Sequence, residues 1–169
     1  MKLNYGIIGT GMMGCEHIRN LKKIHDVNIV AIADPNERSR KWAKQTCEGQ
    51  FEPRLYEDYK ELLIQQDIDV VVIASPNHTH IEIMRELFKT DKHVLLEKPM
   101  CTNLSDGNEV LEGSKRHKGI VWIGLEYRFM SPIQSLISHV NEIGNIKMLS
   151  IREHRFPFLE KVDNWNRFN

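Results

Sequence analysis

The chain has 169 residues, 41% apolar and 27% charged, with 23 basic and 23 acidic side chains and no net charge. That balance excludes a disordered chain and gives no electrostatic footprint for nucleic acid or an anionic membrane. No apolar run is long enough to span a bilayer. Cys15, Cys47 and Cys101 lack the spacing of a disulfide framework or a structural zinc site. The N-terminus runs almost straight into a strand, so no signal peptide is expected, and a reducing cytoplasmic compartment is.

In chain order, Tyr5-Gly6-Ile7-Ile8 reads as a first strand, and residues 15–24 as a helix with Ile18, Leu21 and Ile24 toward a sheet. Between them lies Gly9-Thr10-Gly11-Met12-Met13-Gly14. Strand, G-x-G-x-x-G, helix is the arrangement that a dinucleotide diphosphate needs. Gly9 allows the tight turn, Gly11 lets a phosphate approach the backbone, and Gly14 lets the helix lie close. The helix N-terminus meets the anion, its dipole adding roughly 0.3–1 kcal/mol. A plain strand-to-helix turn is the alternative reading. Met12 and Met13 belong to the same candidate loop and are expected to pack under the helix start.

The next apolar run, residues 27–33, ends at Asp34, which lies 34 − 14 = 20 positions past the last glycine. An acid there accepts the ribose hydroxyls of an adenosine. A 2′-phosphate at about 4 Å would meet about 4 kcal/mol of repulsion, on the order of a thousandfold in affinity. Asp34 therefore points to NAD over NADP. Its alternative role is a turn residue before Pro35. Arg38 or Arg40 would reach a 2′-phosphate if the loop turned back.

Residues 35–46 read as a helix with a charged outer face, and residues 54–55 as a short third strand. Asp58 starts a helix carrying Leu62 and Leu63. Residues 69–74 are apolar on both faces, as a central parallel strand must be. They end at Ser75-Pro76-Asn77-His78-Thr79-His80, followed by a helix with Ile81, Met84, Leu87 and Phe88 on one side. Asn77 or Thr79 is expected to cap that helix. The competing metal reading of His78 and His80 lacks a nearby Cys or acid cluster, and no metal is expected. Strand 93–96 runs into Glu97-Lys98-Pro99. A helix over residues 104–118 and a strand over 120–124 follow, with Trp122 expected in the core. The remaining histidines, His17 among them, show no constellation.

Strands alternating with helices predict an α/β fold, a doubly wound parallel sheet over residues 1–124. The glycine loop, Asp34, Ser75–His80 and Glu97–Pro99 all fall beyond the C-terminal strand ends, where such sheets bind ligands. Past residue 124, Ile133, Leu136, Ile137 and Val140 mark an amphipathic helix, and residues 146–156 read as a strand. Phe158, Trp165 and Phe168 sit in a polar tail. Residues 125–169 are read as the start of an incomplete α+β second domain.

Together, the glycine loop with Asp34, Ser75-Pro76-Asn77-His78, Glu97-Lys98-Pro99, and Tyr127-Arg128-Phe129 with Pro132 resemble the glucose–fructose oxidoreductase / inositol 2-dehydrogenase / rhizopine-catabolism (Gfo/Idh/MocA) family. The resemblance implies an N-terminal Rossmann domain and NAD(P)-dependent oxidation of a polyol or sugar. It also implies a C-terminal domain whose sheet forms dimers, so a homo-oligomer is expected only where that domain is completed. By position, Lys98 corresponds to the catalytic lysine. Glu97 and the Lys98–Pro99 bond, often cis in the family, shape the nicotinamide pocket. Pro76, Asn77 and His78 line the cofactor, and Arg128 lies near cofactor and substrate. To act as a base near neutrality, Lys98 needs a pKa depressed by desolvation or nearby charge; its plainer reading is a surface lysine at a strand end.

The family's Asp and His partners come from a later segment, and no Asp-x-x-x-His follows Arg128; Asp163 and His154 stand in the wrong order. The expectation is a complete cofactor half with weak or no turnover at this length. The alternatives are a non-catalytic NAD-binding module that pairs with or regulates a full-length relative, and an S-adenosylmethionine-dependent methyltransferase, against which Glu97-Lys98-Pro99 argues.

Overall fold

The computed structural model describes residues 2–154. The chain divides into two compact units, with the boundary after Gly124.

Six strands form the first unit's sheet: β1 (Leu3–Ile8), β2 (Val27–Ala33), β3 (Arg54–Tyr56), β4 (Val70–Ile73), β5 (His93–Glu97) and β6 (Val121–Gly124). Their order is β3-β2-β1-β4-β5-β6, and every pairing is parallel. Five helices connect them: α1 (Met12–Leu21), α2 (Glu37–Cys47), α3 (Tyr59–Leu63), α4 (His80–Leu87) and α5 (Leu104–Arg116). Strand order reverses between β1 and β4, which opens the crevice where a doubly wound sheet takes ligands.

Two cores cover the two faces. One joins Ile7, Ile32 and Val72 of the sheet to Cys15, Ile18 and Leu21 of α1 and Ala43 and Cys47 of α2. The other joins Ile8, Val71 and Ile73 to Leu62 of α3, Met84 and Leu87 of α4 and Val110 of α5. Ile7 and Ile8, like Val72 and Val71, point to opposite layers because side chains alternate along a strand. All four residues of β4 are buried, which explains its unbroken β-branched run. The register slips between Tyr5 and Gly6, whose partners are Ile29 and Ala31. The extra residue, Val30, packs with Ala31 on the α3–α5 side.

Three expectations are corrected. Helix α1 begins at Met12, inside the glycine motif, and ends before Ile24, which is exposed. Trp122 is 46% exposed rather than core. Val121 and Ile123 pack on the α3–α5 side, so Trp122 faces the other layer. There α1 packs over β2 and β4 and α2 over β2, inward of this edge strand. The second unit holds α6 (Ser131–Ser138), with a proline in its first turn, and α7 (Val140–Ile143). Residues 146–154 form no strand, with Ile146, Met148, Leu149 and Ile151 all exposed. A strand needs a neighbour for its backbone groups, and among the described residues this unit has none. Residues 155–156 of that expected strand, and Phe158, Asp163, Trp165 and Phe168, lie outside the described residues. Among the described residues, no helix is long and apolar enough to cross a membrane.

Candidate functional site

The three glycines of the first loop have different physical reasons. Gly9 has φ +82° and donates its N–H to the Ala33 carbonyl at 2.9 Å. A Cβ on Gly9 would stand 2.4 Å from the Ser75 nitrogen, so the loops after β1 and β4 touch backbone to backbone. A Cβ on Gly14 would stand 2.1 Å from the Gly9 oxygen. A Cβ on Gly11 would meet nothing within 4 Å. Gly11 is the N-cap of α1, which has no side-chain cap and no acid in its first turn. By contrast, Asn36, Asp58 and Asn103 cap α2, α3 and α5 with their side chains. The first N–H groups of α1 therefore have no side-chain cap, and the space beside Gly11 is open. Met12 and Met13 are exposed at this end instead of packed beneath it, because the buried stripe of α1 starts at Gly14 and continues through Cys15, Ile18 and Leu21.

Asp34 does more than close β2. Its Oδ2 accepts the Thr10 N–H at 2.7 Å and lies 3.2 Å from the Thr10 hydroxyl, while Oδ1 accepts the Asn36 N–H at 2.9 Å. The carboxylate thus staples the glycine loop to the β2 end and shapes the entry to α2. A carboxylate offers about four acceptor positions, so capacity remains for a hydroxyl. Arg40 donates from Nη1 to the carbonyls of Asp34 and Pro35, at 2.6 and 3.0 Å, and is tied to the main chain of this turn. Arg38 is exposed.

Residues Asn77–Thr79 form a 3₁₀ turn after Ser75 and Pro76. Neither Asn77 nor Thr79 caps α4 with its side chain; the Thr79 hydroxyl lies 2.8 Å from Ser75 Oγ and 2.7 Å from the Pro76 carbonyl, inside the turn. His78 is exposed. His80 is fully buried, with Nδ1 3.0 Å from the Pro99 carbonyl and Nε2 3.2 Å from the Ser75 carbonyl. Burial lowers its pKa, opposed by those carbonyls, the Met100 backbone and the Glu97 charge.

At the end of β5, Glu97 is buried with Oε1 2.8 Å from His17 Nε2 and Oε2 accepting the Lys98 N–H at 3.2 Å. The Lys98–Pro99 peptide bond is cis, and Lys98 is exposed at the sheet edge. Burial alone would raise the Glu97 pKa, but His17, the Lys98 N–H and the Lys98 charge together bring it below its ordinary 4.5. A carboxylate with a lowered folded-state pKa stabilises the fold above the unfolded value and loses that contribution as pH falls through the folded one. Wild type should therefore lose stability more steeply than Glu97→Gln below pH 4.5. Melting temperatures from about pH 3 to about pH 7 test this, and parallel curves would refute it.

The first unit thus gathers Gly9, Gly11, Met12, Met13, Gly14, Asp34, Ser75, Pro76, Asn77, His78, Glu97 and Lys98 at the C-terminal strand ends. Arg128 belongs to the second unit, in a 3₁₀ turn spanning Glu126–Phe129, where its carbonyl accepts from Gln134. Sequence reasoning gave no role to Thr10 or His17 and weighed His80 only as a metal ligand or as part of the loop after β4. Two signals were available. His17 lies three residues past Gly14, one helical turn along, and His80 shares the i, i+4, i+7 face of Met84 and Leu87.

Residues 3–125 match the model of an oxidoreductase family with an NAD-binding Rossmann fold, Gfo/Idh/MocA. Similar curated proteins include a myo-inositol 2-dehydrogenase of Thermotoga maritima, 33% identical over 75% of this chain and 37% of its own length. Another is a glucose-6-phosphate 3-dehydrogenase of Bacillus subtilis, 31% identical over 88% of this chain and 41% of its own. A solved myo-inositol dehydrogenase from Lactobacillus casei, in complex with NAD(H) and myo-inositol, superposes with a TM-score of 0.77 at 26% identity, covering 84% of this chain and 42% of that one. The chain therefore spans less than half the length of these relatives. With a six-stranded parallel sheet in Rossmann order, a glycine loop at its switch point and the family model matched along the whole first unit, the chain belongs to the Gfo/Idh/MocA oxidoreductase family.

Proposed function

We propose that this chain is the nucleotide-binding part of an NAD-dependent oxidoreductase acting on a polyol or sugar. The observation that carries the reading is the uncapped N-terminus of α1 beside the open space at Gly11. The Gly9–Gly14 loop and the first N–H groups of α1 hold the diphosphate. Asp34 accepts a ribose hydroxyl with its remaining capacity. Ser75–His78 and Glu97–Pro99 line the nicotinamide end.

NAD would supply the hydride acceptor. The protein's own task is then to orient the reacting carbon and take the hydroxyl proton. Lys98 Nζ is assigned that proton, as acceptor in oxidation and as donor in the reverse direction. Glu97, fixed by His17, holds the main chain at Lys98 in place. The relatives' named substrates, inositols and a sugar phosphate, support a polyol or sugar for this chain too.

Calorimetry on the folded 169-residue chain tests the reading. NAD is expected to bind, with NADP weaker by on the order of a hundredfold or more and S-adenosylmethionine not competing. Absence of NAD uptake by folded protein overturns it. Turnover with inositols or sugars is expected to be weak or nil for these residues alone. Binding without turnover also suits a non-catalytic NAD-binding module. Brisk NADH production would remove that second reading.

A further inference from the structure

His80 stands in none of the roles assigned so far, yet it is among the fully buried side chains of the molecule. It opens α4, with the apolar stripe of Met84 and Leu87 one and two turns behind it. A polar ring in such a place costs free energy unless its nitrogens have partners. Both nitrogens lie against main-chain carbonyls, Nδ1 3.0 Å from Pro99 and Nε2 3.2 Å from Ser75, and the one that carries hydrogen donates. Those carbonyls belong to the turns that follow two adjacent strands, since β4 pairs with β5 through Ile73 and Leu96. A neutral ring carries one N–H and donates to one carbonyl in each tautomer. Either way the rigid imidazole sets the spacing between the turns.

We infer that His80 is a positioning residue that clamps the Ser75–Thr79 turn to the Lys98–Pro99 turn and so sets the width of the nicotinamide end of the cofactor groove. The inference rests on the proposed placement of NAD. It makes a distinction that a general loss of stability does not. The diphosphate and adenosine are held by the glycine loop and Asp34, which His80 does not touch. Loosening the clamp should weaken ligands that carry a nicotinamide ring and spare those that end at the distal ribose.

The test compares NAD with ADP-ribose by calorimetry on the 169-residue chain. His80→Leu, which fills the space without a donor, should bind NAD about tenfold more weakly and ADP-ribose within about twofold of wild type. His80→Gln, whose amide restores N–H donors at a similar reach, should recover NAD binding to within about threefold. Equal weakening of both ligands, or an unaltered NAD affinity in His80→Leu, overturns the clamp. If His80→Leu does not fold, His80→Asn makes the same comparison, being polar but too short to span both carbonyls. A folded wild type that binds neither ligand overturns the NAD reading itself and the clamp with it. A wild type that binds both, beside a leucine variant that matches it, overturns the clamp alone.

Discussion

Gly11→Asp is expected to leave the fold as stable as wild type, or slightly more so, and to abolish NAD binding. The two effects have opposite signs because Gly11 has no packing role. A Cβ there meets no protein atom within 4 Å, and its φ of −69° suits any residue. As N-cap of an otherwise uncapped helix, an aspartate would accept from the first turn and meet the positive end of the dipole, worth about 0.5–1 kcal/mol. The same carboxylate would occupy the place assigned to the diphosphate. At about 4 Å the repulsion is on the order of 4 kcal/mol per unit charge, a thousandfold or more in affinity.

The neighbouring glycines supply the contrast. Gly14→Ala drives a Cβ to 2.1 Å from a backbone oxygen, and Gly9→Ala adds a positive φ to a 2.4 Å clash with the Ser75 nitrogen. Each should cost about 2–4 kcal/mol of stability and lose binding only as a consequence. Chemical denaturation beside calorimetry separates the cases. A Gly11→Asp protein that is folded and still binds NAD within about threefold of wild type would show that the diphosphate lies elsewhere.

The contrast also marks what the sequence carried. Glycine spacing, an acid 20 residues on and alternating apolar runs are local patterns, and they placed the sheet, its order of elements and the residues at its C-terminal edge. What they could not carry was the pairing of residues distant in the chain. His17 and Glu97 are 80 positions apart, His80 and Pro99 are 19 apart, and their contacts exist only once β1, β4 and β5 lie side by side. Trp122 failed for a related reason. An apolar residue in a strand is core only if a helix covers its face, and coverage at a sheet edge depends on where α1 and α2 come to rest. The Ile146–Ile151 stretch has a strand's composition, but composition does not provide a partner. Met12 and Met13 were misplaced because the start of α1 was set three residues late, which left them in the loop rather than on the first turn of α1, ahead of its buried stripe.

Asp34→Ala is expected to damage both fold and cofactor choice, and Asp34→Asn to separate the two. Removing the carboxylate strips an acceptor from the Thr10 N–H, the Thr10 hydroxyl and the Asn36 N–H, and Thr10 is fully buried. A buried donor left without a partner costs about 1–3 kcal/mol, so the alanine variant should lose about 2–4 kcal/mol overall. Its NAD affinity should fall by on the order of a hundredfold as the ribose hydroxyl loses its acceptor and the glycine loop its staple. An asparagine keeps one oxygen for Thr10 and turns an N–H₂ toward the Asn36 N–H, so about half the stability loss should remain. Both variants lack the negative charge. If that charge is what disfavours a 2′-phosphate, the preference for NAD over NADP should collapse to within about tenfold in each, whatever their stability. Should Asp34→Asn keep the wild-type preference, discrimination would have to come from steric limits at the turn where Arg40 holds the carbonyls of Asp34 and Pro35. The dissociation constants of NAD and NADP for wild type, Asp34→Ala and Asp34→Asn, measured beside denaturation curves on the same preparations, decide between charge and shape.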